Sequence, residues 1–237
     1  ARHIKLADFD TLELSNTNRI RTGIDNLGIK KVEMTAREIY LINPYAKVEL
    51  YMQGLTPKTI TKFFNKLDLV VDEIDNLAMK LSVREYCKKL HIPLIMGADN
   101  GDNIIVDIER YDKKRQPKYF HGRMGDVTYE KLSSLDKFGI GRMIVMHLGV
   151  ENITERTLSS FMEMGKTLVS WPQLGSAALT NGSVLAYFIR RILNDQPVES
   201  NRIILSLDEK VVSNYNSEQS KKRRIKVTND FKKILNL

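Results

Sequence analysis

The sequence predicts an α/β fold, doubly wound, in which helices cover both faces of a mostly parallel sheet. Apolar strand patterns alternate with amphipathic helix patterns through about residue 108, and the connections between them are short. Acidic residues cluster where two of the predicted strands end. Open parallel sheets bind ligands at the carboxyl ends of their strands, so we expect a ligand site at that edge.

The first half of the chain is predicted to alternate strand and helix and then to close with a hairpin. The first helix has Val32, Ala36 and Ile39 at helical spacing and is stopped by Pro44. The second begins with Thr56 as a cap, followed by a proline. The last two strands are expected to be antiparallel because their connection is too short for a crossover. The predicted strands cover residues 3–8, 47–52, 68–75, 92–97 and 103–109, and the predicted helices cover 28–43, 56–67 and 77–90.

The alternation weakens beyond residue 110. A polar stretch over about 110–127 is predicted to be an exposed loop. A helix capped by Thr154 follows, then a helix over 174–193 whose small residues predict close packing against another element, and a last strand over 202–208. No break in composition marks a second domain, so we expect one domain over 1–207 and a basic tail over 208–237.

Composition is that of an ordinary globular protein, with 237 residues, 42% hydrophobic and 28% charged. No apolar run is long enough for a membrane helix, and a single cysteine excludes an internal disulfide framework, which together indicate the cytoplasm. The net charge of +8 is concentrated after residue 215, where seven Lys and Arg face two acids. We interpret this segment as a solvated helix or disordered end; contact with RNA, lipid headgroups or an acidic partner is the alternative.

Acids and cations near the strand ends suggest a nucleotide site. Asp8 and Asp10 follow the first strand, and the acid pair Asp72 and Asp75 follows the third. An acid at such a position commonly binds ribose hydroxyls. Carboxylate and amide oxygens such as those of Asp75 and Asn76 suit Mg²⁺.

Two cations complete this hypothesis, and each residue in it also has a plain structural interpretation. Arg19 offers a planar fork for phosphate and Lys31 a point charge. Both could equally be solvated surface residues, and Asp75 and Asn76 could simply cap the helix that starts at Leu77. Taken jointly, the pattern predicts a nucleotide site with phosphate-binding cations and a metal-binding carboxylate.

Longer motifs carry a resemblance to a known family. The segments LADFDTLELSNTNR, KKVEMTAREIYLINP, LDLVVDEIDN and IPLIMGA follow one another over about 100 residues. In this order and spacing they resemble the ThiF/MoeB/HesA family, relatives of the ubiquitin-activating enzymes. SWPQLGSAAL and RIILSLD also resemble the C-terminal half of that family.

The resemblance implies ATP-dependent adenylation of a carboxylate, with pyrophosphate as the leaving group. It implies that Asp8 holds the ribose and that Asp10 organises the metal or phosphate region. Arg19, Lys31 and Asp75 are the implied catalytic residues, with Asp75 and Asp10 at the Mg²⁺. The implied ATP-binding residues are Asp8, Asp10, Asn16, Asn18, Arg19, Lys31, Asp75 and Asn76. We expect Asp8, Arg19, Lys31 and Asp75 to converge on one crevice.

The sequence also departs from the family pattern. The glycine-rich loop that should precede Ile4 is absent, so we expect the first strand and loop to be missing from this chain. Ile20 stands where the family usually has glutamine, which would remove a polar contact. The paired C-x-x-C motifs are missing, so no structural zinc is expected. Cys87 is predicted to be a buried packing thiol, so we expect no thioester step.

The remaining chemical candidates are His121 and His147. A lone histidine is more often structural or solvated than catalytic, and the polar loop that carries His121 is a candidate cover for the acyl substrate.

The expected acyl substrate is the tail of a small carrier-like protein or a small carboxylate. A homodimer is expected by analogy with the family, and no membrane partner is expected. The alternatives are a non-catalytic binding or scaffold protein and a tRNA-modifying member of the superfamily that would use the basic tail. Contact with nucleic acid is otherwise only weakly indicated.

Overall fold

The computed structural model of the protein describes residues 1–169 and 171–237. The chain forms two compact units, Ala1–Leu67 and Asp68–Leu237. The boundary at residue 207, expected from the sequence, remains a prediction.

The first unit is built around two parallel strands. β1 (His3–Ala7) pairs in parallel with β2 (Lys47–Tyr51), from His3 opposite Lys47 to Ala7 opposite Tyr51. The crossover between them contains α1 (Lys31–Ile42), and α2 (Ile60–Phe64) follows β2. Lys5 of β1 donates from Nζ to the carbonyl oxygens of Lys62, Phe63 and Asn65, which ties the strand to the end of α2.

The second unit begins with a short strand, a helix and a hairpin. β3 (Val70–Val71) pairs in parallel with β4 (Leu94–Asn100), and α3 (Leu77–Leu90) connects them. β4 then pairs with β5 (Asn103–Glu109) in antiparallel register, as predicted. The tight turn between them uses Gly101 at φ +64°, a conformation that glycine adopts readily.

The rest of the second unit is mostly helical. The remaining elements are α4 (Tyr129–Ser133), α5 (Lys137–Leu148), α6 (Glu155–Glu163), α7 (Gly175–Leu193), β6 (Asn201–Leu205), α8 (Asp208–Val211) and α9 (Glu218–Leu235). β6 pairs with β5 in antiparallel register, so the sheet has the order β3-β4-β5-β6.

Helices cover both faces of this four-stranded sheet. On one face, Ile105 of β5 packs with buried residues of α5, α6 and α9. On the other face, Ile104, Val106 and Ile108 pack against α7. A Cβ at Gly97 of β4 would lie 2.0 Å from Oδ1 of Asn181 in α7, so this approach requires glycine. The α/β class is confirmed, as is the close packing predicted for α7.

Several predicted boundaries are wrong. The third strand has two residues instead of eight, because Oδ1 of Asp72 accepts a hydrogen bond from the N–H of Ile74 (3.0 Å) and turns the chain. α2 begins at Ile60 because residues 56–59 form a turn closed by the bond from Thr56 N–H to Thr59 Oγ1 (3.0 Å). α6 does begin after the Thr154 cap, but it ends at Glu163, short of Gly165 at φ +77°.

One prediction of exposure needs correction. The 110–127 stretch is not simply an exposed loop, since Tyr111, Phe120 and Met124 are buried. The basic C-terminal segment is a helix, α9, which agrees with the first of the two predicted alternatives, and it buries Phe231 and Leu235 against α5 and α6. Within the described residues, no helix is both long and apolar enough to cross a membrane.

Candidate functional site

The loop after β1 places a carboxylate and a lysine side by side. Oδ1 of Asp8 accepts a hydrogen bond from the N–H of Asp10 (2.8 Å) and so shapes the turn. Asp10 in turn pairs through Oδ2 with Nζ of Lys31 (2.7 Å). Lys31 is the first residue of α1, where the helix dipole favours anions. The pair is partly exposed, at 47% for the Asp10 side chain and 22% for that of Lys31, so a ligand can reach it.

The SNTNR motif forms a separate turn in the same unit. Asn16 is buried, and its Oδ1 accepts a hydrogen bond from the N–H of Glu13 (3.0 Å), which fixes a short 3₁₀ helix. Arg19 donates from Nη1 to the carbonyl of Ser15 and to Oδ1 of Asn18, both at 3.0 Å. The motif therefore orients the Arg19 guanidinium through its own residues.

In the second unit, the strand-end acid Asp72 is fully buried and paired. Lys80 lies 3.2 Å and Arg84 2.6 Å from its carboxylate. Arg84 also contacts Oε2 of Glu109 through Nε (2.8 Å). Burial opposes ionisation of Asp72, but the charges of Lys80 and Arg84 outweigh it and lower the pKa of the carboxyl group. This network, Asp72–Lys80–Arg84–Glu109, is a structural one.

Asp75 and Asn76 have different environments. Oδ1 of Asn76 accepts a hydrogen bond from the N–H of Met79 (2.9 Å), so Asn76 is the N-cap of α3, as the structural interpretation expected. Asp75 is exposed just before that cap. It belongs to the second unit, whereas Asp8, Arg19 and Lys31 belong to the first, so their convergence on one crevice stays a prediction.

The thiol of Cys87 has no access to solvent. Its side chain is fully buried in α3, and burial raises the pKa of the thiol well above its usual range. The predicted buried packing thiol is confirmed.

A second charged cluster in this unit joins both candidate histidines to an acid and an arginine that the sequence analysis missed. Asp107 of β5 is fully buried and accepts hydrogen bonds from Nε (2.6 Å) and Nη2 of Arg202. His147 Nε2 lies 3.6 Å and His121 Nε2 3.8 Å from its carboxylate oxygens. Burial lowers the pKa of His147 to about 3, so this imidazole is neutral.

Both buried networks left a signal in the sequence. Asp107 interrupts the apolar run NIIVDIE, where a charged residue must find a partner. Arg84 follows Leu77 and Leu81 at helical spacing, which places it on the apolar face of α3.

Comparison with known proteins identifies the N-terminal part of the chain. Residues 1–110 match the family model described as the ThiF family. The family model therefore covers just under half of the chain, and over these residues the chain is similar to the ThiF family. This match includes the loop after β1, Asp75 and the β4–β5 hairpin, and it confirms the resemblance on which the predicted site rests.

Curated proteins that are similar to this chain have several names. An uncharacterised protein of Mycobacterium tuberculosis (strain CDC 1551 / Oshkosh) is 34% identical over 200 residues, which is 84% of this chain and 28% of the relative. The tRNA threonylcarbamoyladenosine dehydratase of Escherichia coli (strain K12) is 33% identical over 103 residues, 43% of this chain and 38% of the relative. The molybdopterin-synthase adenylyltransferase of Haemophilus influenzae is 31% identical over 97 residues, 40% of each chain. The chain thus spans less than half the length of each of these relatives.

Solved structures share the fold of this chain. The crystal structure of PaaA superimposes with a TM-score of 0.57 at 20% identity, covering 88% of this chain and 61% of that one. The crystal structure of E. coli MccB with ATP gives a TM-score of 0.59 at 15% identity, covering 87% and 53%. At such low identity the likeness supports the fold alone.

Proposed function

We propose that the protein containing this chain activates a carboxylate by ATP-dependent adenylation. An oxygen of the substrate carboxylate attacks the α-phosphorus of ATP, a new P–O bond forms, and the bond to pyrophosphate breaks. The match of residues 1–110 to the ThiF family model and the similarity to an adenylyltransferase of H. influenzae support this reaction.

The observation that carries the proposal is the accessible Asp10–Lys31 pair at the end of β1. Lys31 stands at the amino end of a 12-residue helix, so its ammonium group and the helix dipole both attract phosphate. Negative charge builds up on the α-phosphate and on pyrophosphate as they separate, and fixed cations stabilise it. Arg19, oriented by Asn18, is proposed as the second phosphate contact, and Asp8 as the ribose contact.

Mg²⁺ is the metal that this reaction implies, and the donors present suit it. The described residues contain no cluster of three or more His, Cys, Asp or Glu arranged to hold a metal. Mg²⁺ is often bound by only one or two carboxylates, with phosphate oxygens and water completing its shell. We propose Asp75 as the principal carboxylate, and the second role expected for Asp10, which belongs to the first unit, stays a prediction. When bound, Mg²⁺ neutralises phosphate charge.

The proposed acyl substrate is the tail of a small carrier-like protein or a small carboxylate, and the proposed assembly is a cytoplasmic homodimer. One of the similar structures is that of E. coli MccB together with MccA-N7isoASN, so a protein of this fold has been solved with a partner molecule. The buried Cys87 supports an adenylation without a cysteine thioester step.

A second candidate is modification of tRNA. The similarity to tRNA threonylcarbamoyladenosine dehydratase favours it, and α9 supplies a basic surface. In that case nucleic acid would be a partner of the protein. A third alternative is a non-catalytic scaffold, which would bind a partner without adenylating a carboxylate.

Exchange of labelled pyrophosphate into ATP by the full-length protein tests the main proposal. We expect exchange that depends on a carrier tail or small carboxylate. Lys31→Ala and Asp75→Asn should each lower the rate by roughly 10²–10³, the loss typical of removing one preorganised contact. Lys47→Ala and Asp68→Asn, at exposed positions of the same units, are the matched controls and should retain the rate.

The alternatives predict different outcomes of the same assay. A protein that binds ATP but exchanges no pyrophosphate with any carboxylate tried, and whose ATP binding is unchanged by Asp75→Asn, is a scaffold. Exchange that requires tRNA instead of a carrier tail supports the second candidate.

A further inference from the structure

An open pocket of about 430 Å³ in the second unit is lined by none of the residues that are proposed to bind the nucleotide. Residues that line it include His121, Arg123 and Arg202, together with Gly122, Ser200 and Asn201. Asn201 and Arg202 belong to β6, which is the edge strand on one side of the four-stranded sheet. Asp75 follows β3, which is the edge strand on the other side, so the pocket and Asp75 belong to opposite sides of the sheet.

The wall of this pocket carries two arginine side chains, one of which, Arg202, is already paired with buried Asp107. Among the described residues that line it there are two arginines and a histidine but no carboxylate. Arg123 is partly exposed, and its acidic contact within the described residues is Glu151, which lies 3.5 Å away and is itself 58% exposed. Surface pairs of this kind are weak, so Arg123 can exchange Glu151 for another anion.

The Arg202 guanidinium is held in place by hydrogen bonds that leave one of its N–H groups without a protein acceptor. Asp107 binds its Nε and Nη2, and the carbonyl oxygens of His147 and Leu148 accept from Nη1 at 2.6 and 2.8 Å. These bonds use four of the five N–H groups of a guanidinium. The fifth, on Nη2, has no protein acceptor among the described residues, and Arg202 is one of the residues that line the pocket.

The turn that carries His121 and Arg123 is held in a strained conformation by the buried network. Phe120 and His121 have φ of +52° and +53°, which is uncommon for residues other than glycine. Glu109 Oε1 accepts a hydrogen bond from the N–H of Phe120 (2.7 Å), and Arg84 lies 4.0 Å from the centre of the Phe120 ring. Strain supported by buried contacts is common at ligand sites, where it sets side chains in place before the ligand arrives.

We propose that this pocket binds a small organic anion through its carboxylate or phosphate group. Arg123 and the free N–H of Arg202 contact the oxygens, and His121, with Nε2 facing Asp107, presents its other ring nitrogen to the ligand. The volume lies in the range of roughly 300–1,000 Å³ that is usual for small-molecule sites, which leaves room for more than the charged group.

Titration of the full-length protein with inorganic phosphate and with succinate tests this site. The readout is the NMR signal of the His121 ring, identified by its loss in His121→Asn, since asparagine tolerates the positive φ. We expect a saturable shift with at least one probe. Phosphate alone indicates a phosphate-bearing ligand, succinate alone a carboxylate, and both a general oxyanion site.

Arg123→Gln should weaken binding by about tenfold or more, the effect of losing one hydrogen bond to a charged group. Arg156→Gln, at an exposed arginine of α6 that does not line the pocket, is the matched control and should have no effect. Lys31→Ala should also leave the titration unchanged, which separates this site from the proposed nucleotide site. A shift that does not saturate with either probe, an unchanged affinity of Arg123→Gln, or equal losses in Arg123→Gln and Arg156→Gln would overturn the proposal.

Discussion

The two units use the same residue types after a parallel strand in opposite ways. In the first unit, Asp10 follows β1 and pairs with Lys31 of the next helix, and both side chains reach solvent. In the second, Asp72 follows β3 and pairs with Lys80 and Arg84 of the next helix, and Asp72 and Arg84 are fully buried. Both units therefore place an acid after a parallel strand and a cation on the next helix, but the first pair is in contact with solvent and the second is buried.

Burial determines what each pair can do. An exposed pair is weakly coupled, so its charges can be redirected to an incoming phosphate at little cost. A buried pair cannot lose one member without leaving a desolvated charge, so it holds the fold instead. Acids at strand ends are therefore not equivalent as site candidates, and Asp75, exposed and adjacent to a cap, resembles the first group more than Asp72 does.

Arg84→Met should have the largest effect on stability. It leaves Asp72 and Glu109 buried without their shared cation, so we expect the free energy of unfolding to fall by about 3–5 kcal/mol. Denaturant unfolding followed by circular dichroism measures this loss. A loss no larger than that of an exposed charge would show that the network is not a structural one.

The second-largest effect should be the loss of stability in acid that the Asp72 carboxylate causes. The folded-state pKa of Asp72 is lowered, so its contribution is fully present above the unfolded pKa of about 3.9 and is lost as the pH falls through the folded value. We expect Asp72→Asn to show a smaller loss of unfolding free energy than the wild type in acid. Lys80→Met, which removes a cation that lowers this pKa, should shift the loss to higher pH. Urea titrations over a pH series provide the measurement, and identical acid slopes in all three proteins would contradict the assignment.

A smaller effect should separate the cap from the proposed ligand role at Asn76. Asn76→Ala removes the side-chain acceptor for Met79 N–H and should cost about 1 kcal/mol, whereas Asn76→Ser should retain most of the stability. Thermal unfolding of both variants compares them. If pyrophosphate exchange also survives in Asn76→Ser, the residue acts through the helix cap; equal stability of the two variants would argue against capping.

Lys31→Met should have the smallest effect on stability. The Asp10–Lys31 pair is partly exposed, so we expect a change of about 0–1 kcal/mol in the free energy of unfolding while pyrophosphate exchange is largely lost. The same protein samples serve for denaturant unfolding and for the exchange assay. If Lys31→Met instead lost much stability and kept pyrophosphate exchange, the Asp10–Lys31 pair would be a structural pair and not a phosphate contact.

Much of the fold was predictable because local patterns determine it. The periodicity of α1, α3 and α7 and the short β4–β5 connection were sufficient for the elements and the hairpin. Boundaries failed where a single side chain decided them, as Asp72 does at the end of β3. The candidate site was predicted through family motifs, and its residues within the first unit do include an acid–lysine contact.

The pairing of distant charges was not predictable from the sequence. Asp107 and Arg202 are 95 residues apart, and nothing local indicates that they meet. Phe120 lies in a polar stretch whose composition predicts exposure, yet it is fully buried beneath Arg84. Both outcomes depend on which elements the sheet brings together.

The sequence by itself determined the α/β class, most of the helices and the ThiF-family motifs, because hydrophobic period, capping residues and short motifs act over a few residues. Only the tertiary structure decided which strand-end acids are buried and which are exposed. That difference depends on desolvation by residues far apart in the chain: the same carboxylate is a structural anchor when Arg84 covers it and a potential ligand contact when solvent does.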